Sequence, residues 1–322
     1  MRVLFATVLF LTSPITWEDQ VASDARGFLN TLTETQRKQA RLPYDADART
    51  EFNYLPGAKH GIALRDLDTA QRTAAQRLLA TTLSKVGLSK VQTIRALEQV
   101  LFERENRNPT RDVDGYYVAV FGEPSDRGVW AWRYEGHHTS LSFAFKDGKI
   151  VSSTPQFLGV NPDPKALGNE RDVAYDLARS LTAAQRKRAI LDREVPGDIV
   201  TGMQRKAEIQ RREGIAFKDL DAGQKAMMER LIKTHAEVQN EKEQDRRWKM
   251  IQAESLDEVV FAWIGPLEKK SRHYYRIQGR NLLIEYDCTQ ADGNHIHTVW
   301  RNLKEDFGAD PLSEHYQHGH SH

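Results

Sequence analysis

Only one cysteine, Cys288, occurs in the 322 residues, so no disulfide can form within the chain. Stability must come from a core, and a 39% hydrophobic content supplies one. Neither sign of charge prevails: 46 Lys and Arg stand against 45 Asp and Glu, for a net charge of +1. That balance argues against the concentrated basic face of a nucleic-acid binder, and it gives no electrostatic reason to bind a membrane surface. No apolar run approaches the roughly 20 residues needed to cross a bilayer. There is no Gly-x-Ser-x-Gly elbow, phosphate-cradling glycine loop, dinucleotide fingerprint or cysteine-rich zinc pattern. Kinase, NTPase, Rossmann and zinc-finger readings are therefore disfavoured.

What is present begins at the N-terminus. Arg2 precedes the apolar run Val3 to Leu11, followed by Thr12, Ser13 and Pro14. Residues 1–16 read as a secretory signal, and an exported protein is expected; the competing reading is a buried N-terminal strand. The other end, 311–322, is a histidine-rich tail with His315, His318, His320 and His322.

Between them the chain repeats itself. Leu32-Thr33-Glu34-Thr35-Gln36-Arg37-Lys38-Gln39-Ala40 returns as Leu181-Thr182-Ala183-Ala184-Gln185-Arg186-Lys187-Arg188-Ala189. Gly61-Ile62-Ala63 and Asp66-Leu67-Asp68 return as Gly214-Ile215-Ala216 and Asp219-Leu220-Asp221, and Trp132-Arg133-Tyr134-Glu135-Gly136 aligns with Tyr275-Arg276-Ile277-Gln278-Gly279. Three blocks in the same order point to a tandem duplication. The expected fold is α+β: repeats over 17–155 and 173–310 joined by a linker at 156–172, the copies related by a pseudo-two-fold axis. In each copy Thr33/Gln36 or Thr182/Gln185, then Asp68/Gln71 or Asp221/Gln224, have the spacing of helix-opening capping boxes. Helices in the first copy are expected to break at Gly87-Leu88-Ser89; in the second, one long helix is expected from Ala222 toward Met250. Alternating apolar positions then predict an antiparallel meander: 116–121, 129–134, 140–145 and 150–153 in copy one, 258–264, 273–277 and 282–286 in copy two. Lys146-Asp147-Gly148-Lys149 is a tight-hairpin signal.

The copies differ in their histidines. Glu135-Gly136-His137-His138 in copy one faces Gln278-Gly279-Arg280-Asn281 in copy two, so the shared glycine reads as a positive-φ turn residue and the histidine pair as specific to copy one. Copy two carries Asn294-His295-Ile296-His297-Thr298-Val299-Trp300, in which His295 and His297 point the same way if extended. Neutral imidazoles suit zinc, copper or iron, so His137, His138, His295 and His297 are candidate ligands of a divalent transition metal. Nearby carboxylates are Glu135, Glu285 and Asp287. The plainer reading makes His138 and His297 hydrogen-bonded core residues, with Trp132 and Trp300 around them. Cys288 reads as a buried strand cysteine ahead of a nucleophile.

The segments Trp132-Arg133-Tyr134-Glu135-Gly136-His137-His138, Ser153-Thr154-Pro155-Gln156-Phe157-Leu158-Gly159 and His295-Ile296-His297-Thr298-Val299-Trp300-Arg301, continuing to Asp306-Phe307-Gly308 and His315-Tyr316, resemble the DUF3500 family of unknown function. The resemblance implies a mostly exported bacterial protein and directs attention to His137, His138 and His297; it implies no activity.

Two functions compete at this point. One is an exported metal-dependent enzyme, a hydrolase ahead of an oxidoreductase, with Glu135 and Asp287 as ligand or general base and Arg133, Arg276 and Arg301 orienting an anionic substrate. The other is a non-catalytic binder of a sugar or peptide in a cleft between the repeats, lined by Trp130, Trp132, Tyr274, Tyr275 and Trp300. Metal buffering by the C-terminal tail is a third. A fused pair removes one reason to dimerise, so a monomer is expected.

Overall fold

The structure is a computed structural model that describes residues 15–209, 211–268 and 271–308. The expected signal, through residue 14, and the histidine tail lie outside the described residues. In chain order the first half holds α1 (Trp17–Thr31), α2 (Glu34–Ala40), β1 (Arg41–Leu42), β2 (Ile62–Ala63), α3 (Thr69–Thr82), α4 (Lys85–Arg104), β3 (Tyr117–Gly122), β4 (Val129–Gly136), β5 (Thr139–Lys146), β6 (Lys149–Ser152) and β7 (Gln156–Val160). The second holds α5 (Gly168–Ser180), α6 (Ala183–Ala189), β8 (Ile215–Ala216), α7 (Ala222–Ala236), α8 (Glu241–Ala253), β9 (Val260–Ile264), β10 (His273–Gln278), β11 (Leu282–Gln290) and β12 (His295–Asn302). The class is α+β, with eight helices and one mixed twelve-stranded sheet among the described residues. No helix among them is long and apolar enough to cross a membrane.

Local chemistry starts the helices where the spacing predicts. Thr33, Thr182, Asp68 and Asp221 each accept from the backbone N–H three residues on, and Gln36, Gln185, Gln71 and Gln224 reach back to the cap. Each box satisfies two otherwise orphaned amides. Two expected boundaries move. The break between α3 and α4 falls earlier than Gly87, because Ser84 caps α4 by accepting from Gly87 N. The expected single helix from Ala222 is two helices, because Asn240 caps a new start by accepting from Lys242 N.

The sheet runs β1-β3-β4-β5-β7-β12-β11-β10-β9-β8, with β2 beside β3 and β6 beside β5. Only β1 and β3 are parallel among these pairs. Residues 156–172, expected as a linker, instead contain β7, which pairs with β12 from Val160↔Ile296 to Gln156↔Trp300 and joins the halves edge to edge. Composition misled here: the Pro and Asn residues that suggest a linker cluster after Val160, beyond the strand.

The two faces differ. Trp130, Trp132, Tyr134, Phe143, Tyr275, Ile277, Ile284, Tyr286 and Trp300 form one apolar face, packed in a single core with α1, α3, α4, α5 and α7. The intervening residues, among them Arg133, Glu135, Arg276, Glu285, Asp287, His297 and Arg301, form a polar face. Two largely irregular segments, residues 43–61 and, among the described residues, 190–209 with 211–214, cover it, and their backbones are held by its buried charges. Arg133 donates to the carbonyls of Ala48 and Glu51, and Glu135 accepts from Asn53 N at 2.9 Å. Glu285 accepts from Val200 N and Thr201 N, at 2.6 and 3.1 Å. Arg301 donates to the carbonyls of Gln204 and Arg205. Coil without a ladder must satisfy its amides and carbonyls elsewhere, and here the sheet's charged side chains do it. Small apolar clusters, Phe52, Tyr54, Phe157, Ile199, Val299 and Phe307 among them, complete the packing.

Candidate metal centre

The polar face of the β7–β12 junction is where the histidines meet. His137 and His138 form the two-residue turn between β4 and β5, where Gly136 pairs with Thr139. His138 has φ +61°, a left-handed conformation uncommon for a residue with a side chain. Its N–H donates to Tyr54 O (3.0 Å) and its carbonyl accepts from Gly159 N (2.7 Å), which tie the turn to a covering segment and to β7. The glycine before it is not the positive-φ residue expected. Gly136 is instead required by contact: a Cβ there would sit 2.4 Å from the Tyr116 ring.

On β12, His295 and His297 point the same way, as strand alternation requires. The Nε2 atoms of His138 and His295 are 2.9 Å apart, as are those of His295 and His297. The ligand atoms of the three lie within 4.8 Å of one another. Three imidazole nitrogens about 2.1 Å from a tetrahedral zinc stand roughly 3.4 Å apart, so the two 2.9 Å separations need only a small expansion to take an ion. His138 and His297 are buried and His295 is half-buried.

Gly159 makes this approach possible. It is the register partner of His297 on β7, and a Cβ there would lie 2.8 Å from Cδ2 of both His138 and His297. Any side chain would push the rings apart.

Two carboxylates orient the rings. Asp198 Oδ1 lies 2.6 Å from His297 Nδ1, which places the proton on Nδ1 and leaves the Nε2 lone pair facing the trio. Burial acts to raise Asp198, but the bond and charge of His297, with bonds from Ile199 N and Tyr54, hold it below the usual carboxylate range. Glu98, from α4, places Oε1 2.5 Å from His137 Nδ1, and its other oxygen is buried without a partner. Burial pushes Glu98 up to about 8, while burial and then the Arg111 charge push His137 down to about 3. Burial thus disfavours the charged form of both partners. Burial likewise holds His138 well below the ordinary histidine value and lowers His295 to about 3, reinforced by neighbouring histidine charges. Neutral imidazoles are the form a metal binds. Glu98, His137 and His138 form a second group whose ligand atoms can hold an ion. The rings of His137 and His138 stack with centroids 3.7 Å apart, and Arg111 Nη1 lies 3.1 Å from both nitrogens of His137.

All four histidines expected as ligands are thus brought together. Of the other expected site residues, Asp287 lies beside them as the register partner of His297, and the rest are engaged elsewhere. Glu135 bonds to Asn53 N and Ser140 (2.7 Å), and Arg133, Arg276 and Arg301 hold backbone carbonyls. None of these arginines is available to orient a substrate. Asp287, paired in register with His297, accepts from Thr289 at 3.0 Å, and burial pushes it up to about 7. Trp132 stacks on Phe143, and Arg247 lies 4.6 Å over Trp300. Trp130, Trp132, Tyr275 and Trp300 lie buried on the opposite, helix-covered face, and Tyr274 is buried on the polar face with its hydroxyl on Glu285 (2.8 Å). The expected aromatic cleft is not formed: the halves join by strand pairing, which leaves the rings to the core. The histidines converge across an edge-to-edge seam. Cys288 is buried, donates to Gly293 O and is pushed up to about 12 by burial, against a nucleophilic role.

Sequence reasoning missed Glu98, Arg111, Asp198, Tyr54 and Gly159. One signal was there for Glu98, a carboxylate in the buried helical stripe Val91, Ile94, Glu98 and Leu101. Asp198 sits in irregular chain with no periodic signal.

A family model described as "Protein of unknown function (DUF3500)" matches residues 16–309. The chain belongs to the DUF3500 family. No curated protein and no solved structure matches this DUF3500 chain.

Proposed function

We propose that this DUF3500 protein is an exported metal-dependent hydrolase whose ion is held by His138, His295 and His297. One observation carries the reading: three imidazole Nε2 atoms from both halves converge at one point, made accessible to one another by Gly159 and oriented by Asp198. Three imidazoles leave a coordination position open, the ligand set that zinc uses to activate water. Copper and iron also accept imidazole, and metal analysis decides among them. The Glu98–His137 pair lies beside the trio, and Arg111 and Lys59 supply positive charge to the same histidine. These two cations, in place of Arg133, Arg276 and Arg301, suit a substrate with an anionic group. Export rests on the basic start and apolar run at the N-terminus. We also read the two halves as copies related by a pseudo-two-fold axis. Matched capping boxes, and strand orders β3-β4-β5 and β9-β10-β11 that mirror each other about the seam, support this.

The test is metal content by mass spectrometry on untagged protein, beside a His295→Ala/His297→Ala variant that keeps the C-terminal tail. About one ion per chain in the parent, lost in the folded variant, is expected. Metal-loaded parent is then screened on ester, amide and phosphoester probes, with activity expected only when the trio is intact. No bound metal after loading with zinc, copper and iron overturns the reading.

A further inference from the structure

Away from the histidines, a cavity of about 360 Å³ opens between α3, α4 and the sheet. That volume lies within the range of small-molecule sites, about 300–1,000 Å³. Leu64, Ala75, Leu79, Leu88, Val91 and Tyr134 give it an apolar wall. Its polar lining is one-sided: Arg77 and Arg95 are present and no carboxylate is. Arg95 interacts with the Tyr134 hydroxyl, which is pushed up to about 12 by burial against the opposing pull of Arg95. Arg77 is exposed.

The second half carries larger residues at the corresponding positions. Asp68 and Gln71 open α3 as Asp221 and Gln224 open α7. In that alignment Leu64 matches Phe217, Ala75 matches Met228 and Gln76 matches Glu229. Phe217 and Met228 are both buried in the core of the second half, with Lys225 over the Phe217 ring at 5.5 Å. The first half thus has smaller residues at the two filling positions and an uncharged one where the second half has an acid. The cavity opens to solvent at Arg77, so small apolar residues at its wall and two cations at its lining together suit an occupant with an apolar chain and an anionic head.

We propose that the cavity between α3 and α4 binds a single-chain amphiphilic anion, its acyl chain against Leu64, Ala75, Leu79 and Val91 and its carboxylate at Arg77 and Arg95. This site is independent of the histidines, so it stands or falls separately from the metal reading. Recognition divides into two parts. The chain is held by apolar burial, and each methylene that enters the cavity tightens binding about fourfold. The head is selected by guanidinium pairing, which a neutral alcohol of the same length cannot supply.

The experiment is titration calorimetry of the full-length protein with octanoate, decanoate and decanol below their aggregation concentrations. Saturable one-to-one binding is expected for the acids, tighter for decanoate, with decanol at least tenfold weaker. A Leu64→Phe/Ala75→Met variant, which copies the filling residues of the second half, is expected to abolish decanoate binding while keeping the parent's circular dichroism and metal content. An Arg77→Gln variant, altered only on the exposed helix surface, is expected to weaken decanoate and leave decanol unchanged. Equal binding of decanol and decanoate overturns the anion assignment. Absence of binding by all three probes, or decanoate binding unchanged in the filled variant, overturns the site.

Discussion

Gly159→Ala is the sharpest probe of the metal centre, because it adds one carbon and removes no ligand. The new Cβ would sit 2.8 Å from Cδ2 of His138 and of His297, against 3.4 Å for the start of ordinary van der Waals contact. Relief therefore requires a retreat of about 0.6 Å, shared between the rings or taken by one of them. Metal–ligand distances tolerate only about 0.2 Å of error, so the trio cannot hold its geometry through that movement. Displacement of this kind resembles loss of an orienting partner, which costs roughly 10- to 100-fold in metal affinity. Overpacking should also cost about 1–3 kcal/mol of stability, measurable by urea unfolding of the metal-free chain. The assay is zinc affinity by chelator competition on the folded variant. Parent-like affinity would refute the claim that this glycine sets the spacing of the rings. Unfolding of the whole chain would refute the claim that its role is local.

Further outcomes follow from the same geometry. Asp198→Asn should lower zinc affinity about 10- to 100-fold with little change in fold, read by the same competition. Zinc at about 100 times its dissociation constant should add about 2.7 kcal/mol to the parent's stability. The His295→Ala/His297→Ala variant should gain none of it. Arg301→Leu should destabilise by about 3–5 kcal/mol in urea, because it strips Asp306 of its 2.6 Å partner and releases two backbone carbonyls. It should leave zinc affinity unchanged; a selective loss of substrate binding would restore the substrate-orienting role expected from sequence. His235, which bonds the Tyr275 hydroxyl, is lowered to about 3 by burial and then the Lys90 charge. Between that value and its ordinary 6.5 the unfolded chain takes up a proton that the folded chain refuses. Its contribution is complete above pH 6.5 and declines toward pH 3 by about 1.4 kcal/mol per pH unit. His235→Gln should flatten the acid limb of the urea-midpoint profile by that slope, and an unchanged limb would place the titration elsewhere.

Local signals carried the helices: the capping boxes and the Asp147-Gly148 hairpin are governed by neighbours within a few residues. Strand alternation even placed His295 and His297 on one side. What sequence could not convey was which face of the sheet meets helices and which meets coil. Trp132 and Arg133 are neighbours with similar apparent promise, yet one enters the helix-packed core and the other holds the carbonyls of Ala48 and Glu51. The partners of the histidines were hidden for the same reason. Asp198 and Glu98 come from distant coil and helix, and only tertiary packing places them against His297 and His137. Residues 156–160 of the expected linker form a strand because β7 is short and its pairing with β12 is set by tertiary structure.

The seam between β7 and β12 has a consequence for the order in which the protein comes apart. His138 is reached from one half and His295 and His297 from the other, so an ion bound by all three bridges strands that otherwise rely on backbone pairing. Occupancy should therefore slow amide hydrogen exchange at Phe157–Val160 and Ile296–Trp300 more than in the outer strands. Loss of the ion would turn the middle of the sheet into the place where local opening begins.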